Sequence, residues 1–249
     1  SAGKNKCIAI LNLGKIEKGK KNLIVFLHGD GSPNSPRPGI PKKSQIRFAK
    51  ELINDDNNIF LFARPGYFIR ERGSSEEDRY SSGPRNAIKS TVVNYDWKNF
   101  QILAPALQNL KKYYKPKKLI LIGHSGGAYQ GGTIHGKVPG LVDINILISC
   151  PCDWEIRKKL SNGKKWETKS QLKELKKNSP SFNYKDIDLK SLNILIVGKD
   201  DKNTAPGVSK YYYDLLKKKK LQVKLHIIDG GHGLGSMPTI GSIIKEYIN

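Results

Sequence analysis

Cysteine is scarce: Cys7, Cys150 and Cys152 are all that 249 residues contain. So small and odd a number excludes a disulfide framework, and no zinc-like Cys/His spacing accompanies it. A bridge across the short Cys150-Pro151-Cys152 loop would need unusual geometry, so both residues are expected as small buried thiols near a strand end. Long apolar runs are also missing. None approaches the ~20 residues of a membrane helix, and 37 % hydrophobic with 27 % charged residues is the balance of a soluble globular protein. The sequence starts Ser1-Ala2-Gly3 and its one methionine is Met237. The expectation is therefore a soluble protein of open compartment, export behind a removed leader included.

Acidic residues are half as numerous as basic ones, 22 against 44, for a formal charge of +22. Such a surplus can neutralise phosphates, yet specific nucleic-acid readers depend on Arg forks and on aromatics that stack bases. Here the charge is mostly Lys, in residues 15–21, 111–118, 158–177 and 217–220, and aromatics do not interleave with it in any recurring motif. The surplus reads as a solvated surface. It implies no specific nucleic acid, and at most weak electrostatic contact with anionic surfaces.

What is present is an alternation. Aliphatic, β-prone segments at 7–13, 23–27, 59–63, 119–122, 144–149, 194–197 and 223–228 are interleaved with helical patterns at 44–54, 95–114, from 126, 207–219 and 240–247. The first two strands are separated by a charged turn and are expected to pair as a hairpin. Continuous aliphatic strands are buried on both faces, so the expected fold is α/β: a mostly parallel sheet of about eight strands flanked by helices. Residues 70–85 are polar and suit a surface connection. Nothing reads as an interdomain linker, so 1–249 is taken as one domain, with 151–192 a small helical lid inserted after a strand.

The most informative segment is Leu119-Ile120-Leu121-Ile122-Gly123-His124-Ser125-Gly126-Gly127-Ala128, an apolar strand running into Gly-x-Ser-x-Gly and on into helix. A Ser on so tight a strand-to-helix turn is forced outward, and the flanking glycines let neighbouring backbone approach. Two further constellations follow strands: Asp200 and Asp201 after one, His232 after the last. Right-handed crossovers gather strand C-termini on one edge, where open α/β folds place their sites. A serine hydroxyl needs a base to take its proton, and the base needs a carboxylate to fix its tautomer.

In this order, Ser then Asp then His, the chain resembles the α/β-hydrolases over nearly its whole length. Leu27-His28-Gly29-Asp30-Gly31 is similar to the oxyanion loop, Gly123-His124-Ser125-Gly126-Gly127 to the nucleophile elbow, Val197-Gly198-Lys199-Asp200-Asp201 to the acid turn, and Gly230-Gly231-His232-Gly233 to the histidine loop. Residues 63–67 and 149–154 also resemble segments of bacterial hydrolases. The resemblance implies Ser125 as nucleophile, His232 as general base and Asp201, three residues beyond Gly198, as orienting acid. It implies an oxyanion hole from the backbone N–H groups of Asp30 and Gly126, with the Asp30 side chain turned away or paired with a cation such as Arg64. His28 and His124 are expected as packed supports of these loops. Arg64, Tyr67, Cys150, Trp154 and Trp166 are candidates to line a pocket or simply to pack, and His135 and His226 are bystanders. No metal or organic cofactor is called for. The function implied is hydrolysis of a small carboxylic ester through an acyl-enzyme. The alternatives are a peptidase or amidase on the same triad, or a non-catalytic hydrolase-fold protein that binds anionic partners.

Overall fold

Strands that are apolar on both faces have to be covered on both faces, and this requirement organises the molecule. A computed structural model describes residues 7–30, 43–65, 67–69, 73–74, 97–160, 169–233 and 238–248. Its main sheet contains β1 (Ile10–Leu13), β2 (Asn22–Leu27), β3 (Asn57–Phe62), β6 (Lys118–His124), β7 (Ile144–Ile148), β8 (Leu192–Gly198) and β9 (Gln222–Ile228). Two-residue strands β4 (Phe68–Ile69) and β5 (Gly73–Ser74) form a separate pair. The helices are α1 (Lys43–Lys50), α2 (Trp97–Tyr114), α3 (Gly126–Lys137), α4 (Trp154–Leu160), α5 (Lys169–Lys177), α6 (Pro180–Asn183), α7 (Pro206–Lys218) and α8 (Pro238–Ile248).

Spatial order in the main sheet is β1-β3-β2-β6-β7-β8-β9, seven strands where the sequence suggested about eight. All neighbours are parallel except β1, which runs antiparallel to β3. The expected hairpin between the first two strands does not form. β3 lies between them, with Ile10 opposite Phe62 and Leu27 opposite Phe62 on the other side. The reason is burial: β3 is buried at all six positions, so it needs a neighbour on each edge as well as cover on each face.

Alternate residues of the strands feed two cores. Leu23, Val25, Leu27, Leu119 and Leu121 face Phe100, Leu103 and Leu107 of α2 and Tyr129 of α3. Ile24, Ile120, Ile122, Ile146 and Ile196 face Phe48 of α1 and Ile240, Ile244 and Ile248 of α8. Parallel register brings Leu27 beside Gly123, His124 beside Ile148, Ile148 beside Ile196 and Gly198 beside Ile228. The loops beginning at His28, Ser125, Ser149, Lys199 and Asp229 therefore leave one edge of the sheet together. Lysines that precede strands, such as Lys20 and Lys21 before β2, Lys117 before β6 and Lys219 and Lys220 before β9, lie at the opposite edge, where helix C-termini favour cations. Among the described residues no helix is long and apolar enough to cross a membrane.

Of the 151–192 segment, residues 161–168 lie outside the described residues, as does most of 70–85. Of the remainder, α6 and the turn after it pack on α3, while α4 packs on α7 and α5. A Cβ at Gly132 would meet the Pro180 ring at 2.8 Å, and one at Gly136 would meet the Asn183 carbonyl oxygen at 2.1 Å. The glycines of α3 thus let α6 come to backbone contact.

One sequence expectation is corrected here. Cys150 and Cys152 are not free thiols but a disulfide, with Cα atoms 5.0 Å apart. Along an extended strand two such residues would be about 6.6 Å apart. The chain is bent at Pro151 instead, whose ring fixes its φ, and the two flanking side chains come within bridging reach. Cys7 stands outside the disulfide and is exposed.

Candidate active site

Ser125 stands between β6 and α3 with φ 52° and ψ −118°, a left-handed conformation that costs a non-glycine residue on the order of 1–3 kcal/mol. Its surroundings hold it there. Its N–H donates to the Ile148 carbonyl at 2.8 Å, and its own carbonyl accepts from Tyr129 N–H at 3.0 Å, the first hydrogen bond of α3. Glycine is obligatory on either side: a Cβ at Gly123 would lie 2.5 Å from Ala128 Cα, and one at Gly127 would lie 2.2 Å from the Leu27 carbonyl oxygen. The second contact matters most, because it presses the N-terminus of α3 against the end of β2, where the His28-Gly29-Asp30 loop begins. Ser125 makes no side-chain cap to α3, and its hydroxyl meets His232 instead.

Ser125 Oγ lies 2.9 Å from His232 Nε2, and His232 Nδ1 lies 2.9 and 3.1 Å from the two Asp201 oxygens. Asp201 accepts through both oxygens, so Nδ1 carries the proton and Nε2 is left as the acceptor of the Ser125 hydroxyl. Burial alone would push the Asp201 carboxyl up. The hydrogen bond from His232, those from Thr204 N–H and hydroxyl, and the charge of His232 outweigh it and hold the group well below the usual carboxylate range. Asp200, by contrast, is exposed. The acid turn and the histidine loop also meet through backbone: Asp200 N–H donates to the Gly230 carbonyl at 3.0 Å, and a Cβ on Gly198 would lie 2.2 Å from that same oxygen.

Around the β2 loop the histidines are ordered. Arg64 N–H donates to His28 Nε2 at 3.0 Å, so His28 carries its proton on Nδ1, 2.6 Å from the Gly29 carbonyl. Burial, reinforced by the Arg64 charge, pushes its pKa well down, and it stays neutral. His124 Nε2 donates to the His232 carbonyl at 2.9 Å, tying the elbow to the histidine loop. The Asp30 carboxylate is paired with the fully buried Arg64 guanidinium, which also reaches Tyr67 Oη at 3.4 Å. Tyr67 packs edge-on to His28 with ring centres 4.5 Å apart. Thus His28, Asp30, Arg64 and Tyr67 form one supporting cluster behind the loop.

The other candidates stand elsewhere. Cys150 is fully buried in its disulfide, and Trp154 is packed between Tyr129, at 6.0 Å, and the Arg157 guanidinium, at 4.4 Å. Trp166 lies outside the described residues. His135 is buried against the Ser191 hydroxyl, and burial lowers its pKa to about 4; His226 meets the Tyr247 hydroxyl at 2.9 Å. One group at the site was not anticipated: Thr204, buried and three residues beyond Asp201, whose hydroxyl is 2.7 Å from Asp201 Oδ2. The signal was the Asp-x-x-Thr spacing itself, since an Asp oxygen readily accepts from N–H groups two and three residues on, as Asp201 Oδ1 does from Asn203 and Thr204.

A strained serine on an elbow, a histidine and a buried carboxylate in one hydrogen-bonded line, at the C-terminal edge of a mostly parallel sheet, are the marks of the α/β-hydrolase class of serine hydrolases. Residues 54–246, more than three quarters of the chain, match the model of the prolyl oligopeptidase family, and the chain belongs to that family. Solved structures repeat the fold. The Pyrococcus furiosus esterase Pf2001 superposes with a TM-score of 0.66 at 18% identity, over 100% of this chain and 91% of that one. Pyrococcus horikoshii acylaminoacyl peptidase gives 0.67 at 18% identity, over 98% of this chain but 41% of the peptidase, and TT1662 from Thermus thermophilus gives 0.67 at 13%, over 97% and 94%. The chain thus spans about two fifths of the acylaminoacyl peptidases it resembles. No curated protein sequence matches it.

Proposed function

We propose that this protein hydrolyses carboxylic esters by two-step acyl transfer at Ser125. His232 Nε2 takes the hydroxyl proton as Ser125 Oγ attacks the acyl carbon, and the imidazolium that forms is held by Asp201. The oxyanion rests on the N–H groups of Gly126 and Asp30. His232 then gives its proton to the departing alcohol, and water, deprotonated by the same imidazole, releases the acid and restores Ser125. The observation that carries this reading is the unbroken hydrogen-bonded line Ser125–His232–Asp201. Pairing of Asp30 with Arg64 supports it, because the pair neutralises a carboxylate that would otherwise oppose a nearby oxyanion. A small cavity lined by Phe26, Phe48, Ile122 and Ile148 with His28 and His124 lies beside these loops.

The prolyl oligopeptidase family match favours a second reading, cleavage of an acylated or peptide amide at the same serine. Similarity along 91% of an esterase supports the first. A fluorophosphonate probe should label the wild-type protein and not Ser125→Ala. A panel of nitrophenyl esters set against aminoacyl amides and blocked peptides should show ester turnover well above amide turnover. Folded protein that neither labels nor turns over any member of the panel would refute the proposal, and preferential amide cleavage would establish the second reading.

A further inference from the structure

Thr204 has one hydroxyl proton and more than one use for it. Its Oγ1 lies 2.7 Å from Asp201 Oδ2, 3.1 Å from the Ser149 carbonyl and 3.2 Å from His232 Nδ1. Two of these neighbours are acceptors and the third is an N–H donor. The hydroxyl can therefore receive the His232 N–H with a lone pair while giving its own proton either to the carboxylate or to the carbonyl. Thr204 is 1 % exposed, so water cannot stand in for it. Its backbone N–H also donates to Asp201 Oδ1 at 2.8 Å. One residue thus grips both carboxylate oxygens and touches the imidazole.

The Ser149 carbonyl gives the hydroxyl a fixed reference. Ser149 ends β7 with φ 49°, is fully buried, and donates its N–H to the Ile196 carbonyl at 2.8 Å. It leads into the Cys150–Cys152 disulfide. The acid turn is anchored on its other flank by Arg157, whose guanidinium donates to the Asn203 carbonyl at 3.0 Å and to its side-chain oxygen at 2.5 Å. The Thr204 hydroxyl consequently connects a rigid strand end to the Asp201–His232 pair.

We propose that Thr204 is a positioning residue of this triad, its hydroxyl fixing the Asp201 carboxylate and sharing the His232 Nδ1 proton so that the imidazole keeps its tautomer and its aim at Ser125. This role rests on the acyl-transfer reading. A hydroxyl that donates to the carboxylate draws off part of its charge, and without it the carboxylate binds the imidazolium more strongly. Among the described residues the other groups facing His232 are Ser125, Asp201 and His124, whose ring is 5.4 Å away, and none of them is altered by the test.

Thr204→Val keeps the branched shape and removes the hydroxyl; Thr204→Ser keeps the hydroxyl. In Thr204→Val we expect kcat/KM on a nitrophenyl ester to fall about tenfold, the worth of one hydrogen bond to a charged group. The fall should lie in kcat with KM little changed, and the acid limb of the pH–rate profile should move up. Thr204→Ser should restore both the rate and the limb. The His232 ring resonance, followed by NMR against pH without substrate, should show the same upward displacement in Thr204→Val. Should Thr204→Val not fold, Thr204→Ala carries the same comparison. Rate, pH profile and ring titration all unchanged in a folded hydroxyl-less variant would overturn the proposal. So would a Thr204→Ser protein as impaired as Thr204→Val, because the hydroxyl it keeps would then have rescued nothing. A wild type inactive on every substrate but displaced in its ring titration by Thr204→Val would defeat the esterase reading alone and leave the Thr204–His232 coupling standing.

Discussion

Helix α3 offers a paired test of how the site is assembled, because two of its glycines are glycine for different reasons. At Gly127 a methyl group would stand 2.2 Å from the Leu27 carbonyl oxygen and 2.5 Å from that of His28, more than 1 Å inside ordinary van der Waals contact. Both neighbours are backbone, so neither can rotate aside, and either the helix or the end of β2 must move. Overpacking of this kind costs ~3 kcal/mol, partly offset by up to ~1 kcal/mol from the better helix propensity of Ala. The net loss of roughly 2 kcal/mol lowers Tm by about 4–8 °C in a chain of this size. At Gly131 the nearest atom is 3.4 Å away, at the flexible end of Leu121, and there Ala should gain about 0.5–1 kcal/mol and raise Tm by about 1–4 °C. Activity should separate the two further. The displacement forced by Gly127→Ala parts Gly126 N–H from the Asp30 loop, and losing one oxyanion donor costs about 10²-fold in kcat. Gly131→Ala should turn over like wild type. Thermal unfolding and nitrophenyl acetate hydrolysis measure both. A Gly127→Ala protein with unchanged Tm and turnover, or a Gly131→Ala protein equally damaged, would refute the reasoning.

Asp201→Asn should lower kcat by roughly 10⁴, since an amide cannot hold the Nδ1–H tautomer as a carboxylate does. The same variant tests linkage: the Asp201 carboxyl is depressed in the folded state, so it contributes stability at neutral pH that drains away as pH falls through its folded value. The stability of wild type between pH 7 and pH 3 should therefore fall more steeply than that of Asp201→Asn, and parallel curves would contradict the assignment. Denatured without reductant, the protein should show one titratable thiol per chain, that of Cys7, and three after reduction. Three thiols before reduction would exclude the Cys150–Cys152 bridge.

The main elements were legible because their cause is local. Seven aliphatic segments read directly as strands, and the Gly-x-Ser-x-Gly turn announced its own strain. The first strand pairing was misread because β1 and β2 are each apolar and close in sequence, and nothing local says that β3 will come between them. Asp201 was separable from Asp200 by its distance from Gly198. For Thr204 the Asp-x-x-Thr spacing signals only the backbone turn onto Asp201; that its hydroxyl reaches the carboxylate, the Ser149 carbonyl and His232 is a tertiary fact.

The disulfide shows the same division. Spacing alone made Cys150 and Cys152 an unpromising pair, and only the bend at Pro151, in the loop that follows β7, brings them together. By itself the sequence determined which residues are chemically able to act, a serine, a histidine and an aspartate each following a strand. It could do so because side-chain chemistry and strand periodicity are properties of a few neighbouring residues. Tertiary structure alone decided that Ser125, His232 and Asp201 lie within hydrogen-bond reach, that Arg64 neutralises Asp30, and that Thr204 joins β7 to the acid. Those are contacts between residues tens to more than a hundred positions apart, brought together by the common register in which six parallel strands end on one edge of the sheet.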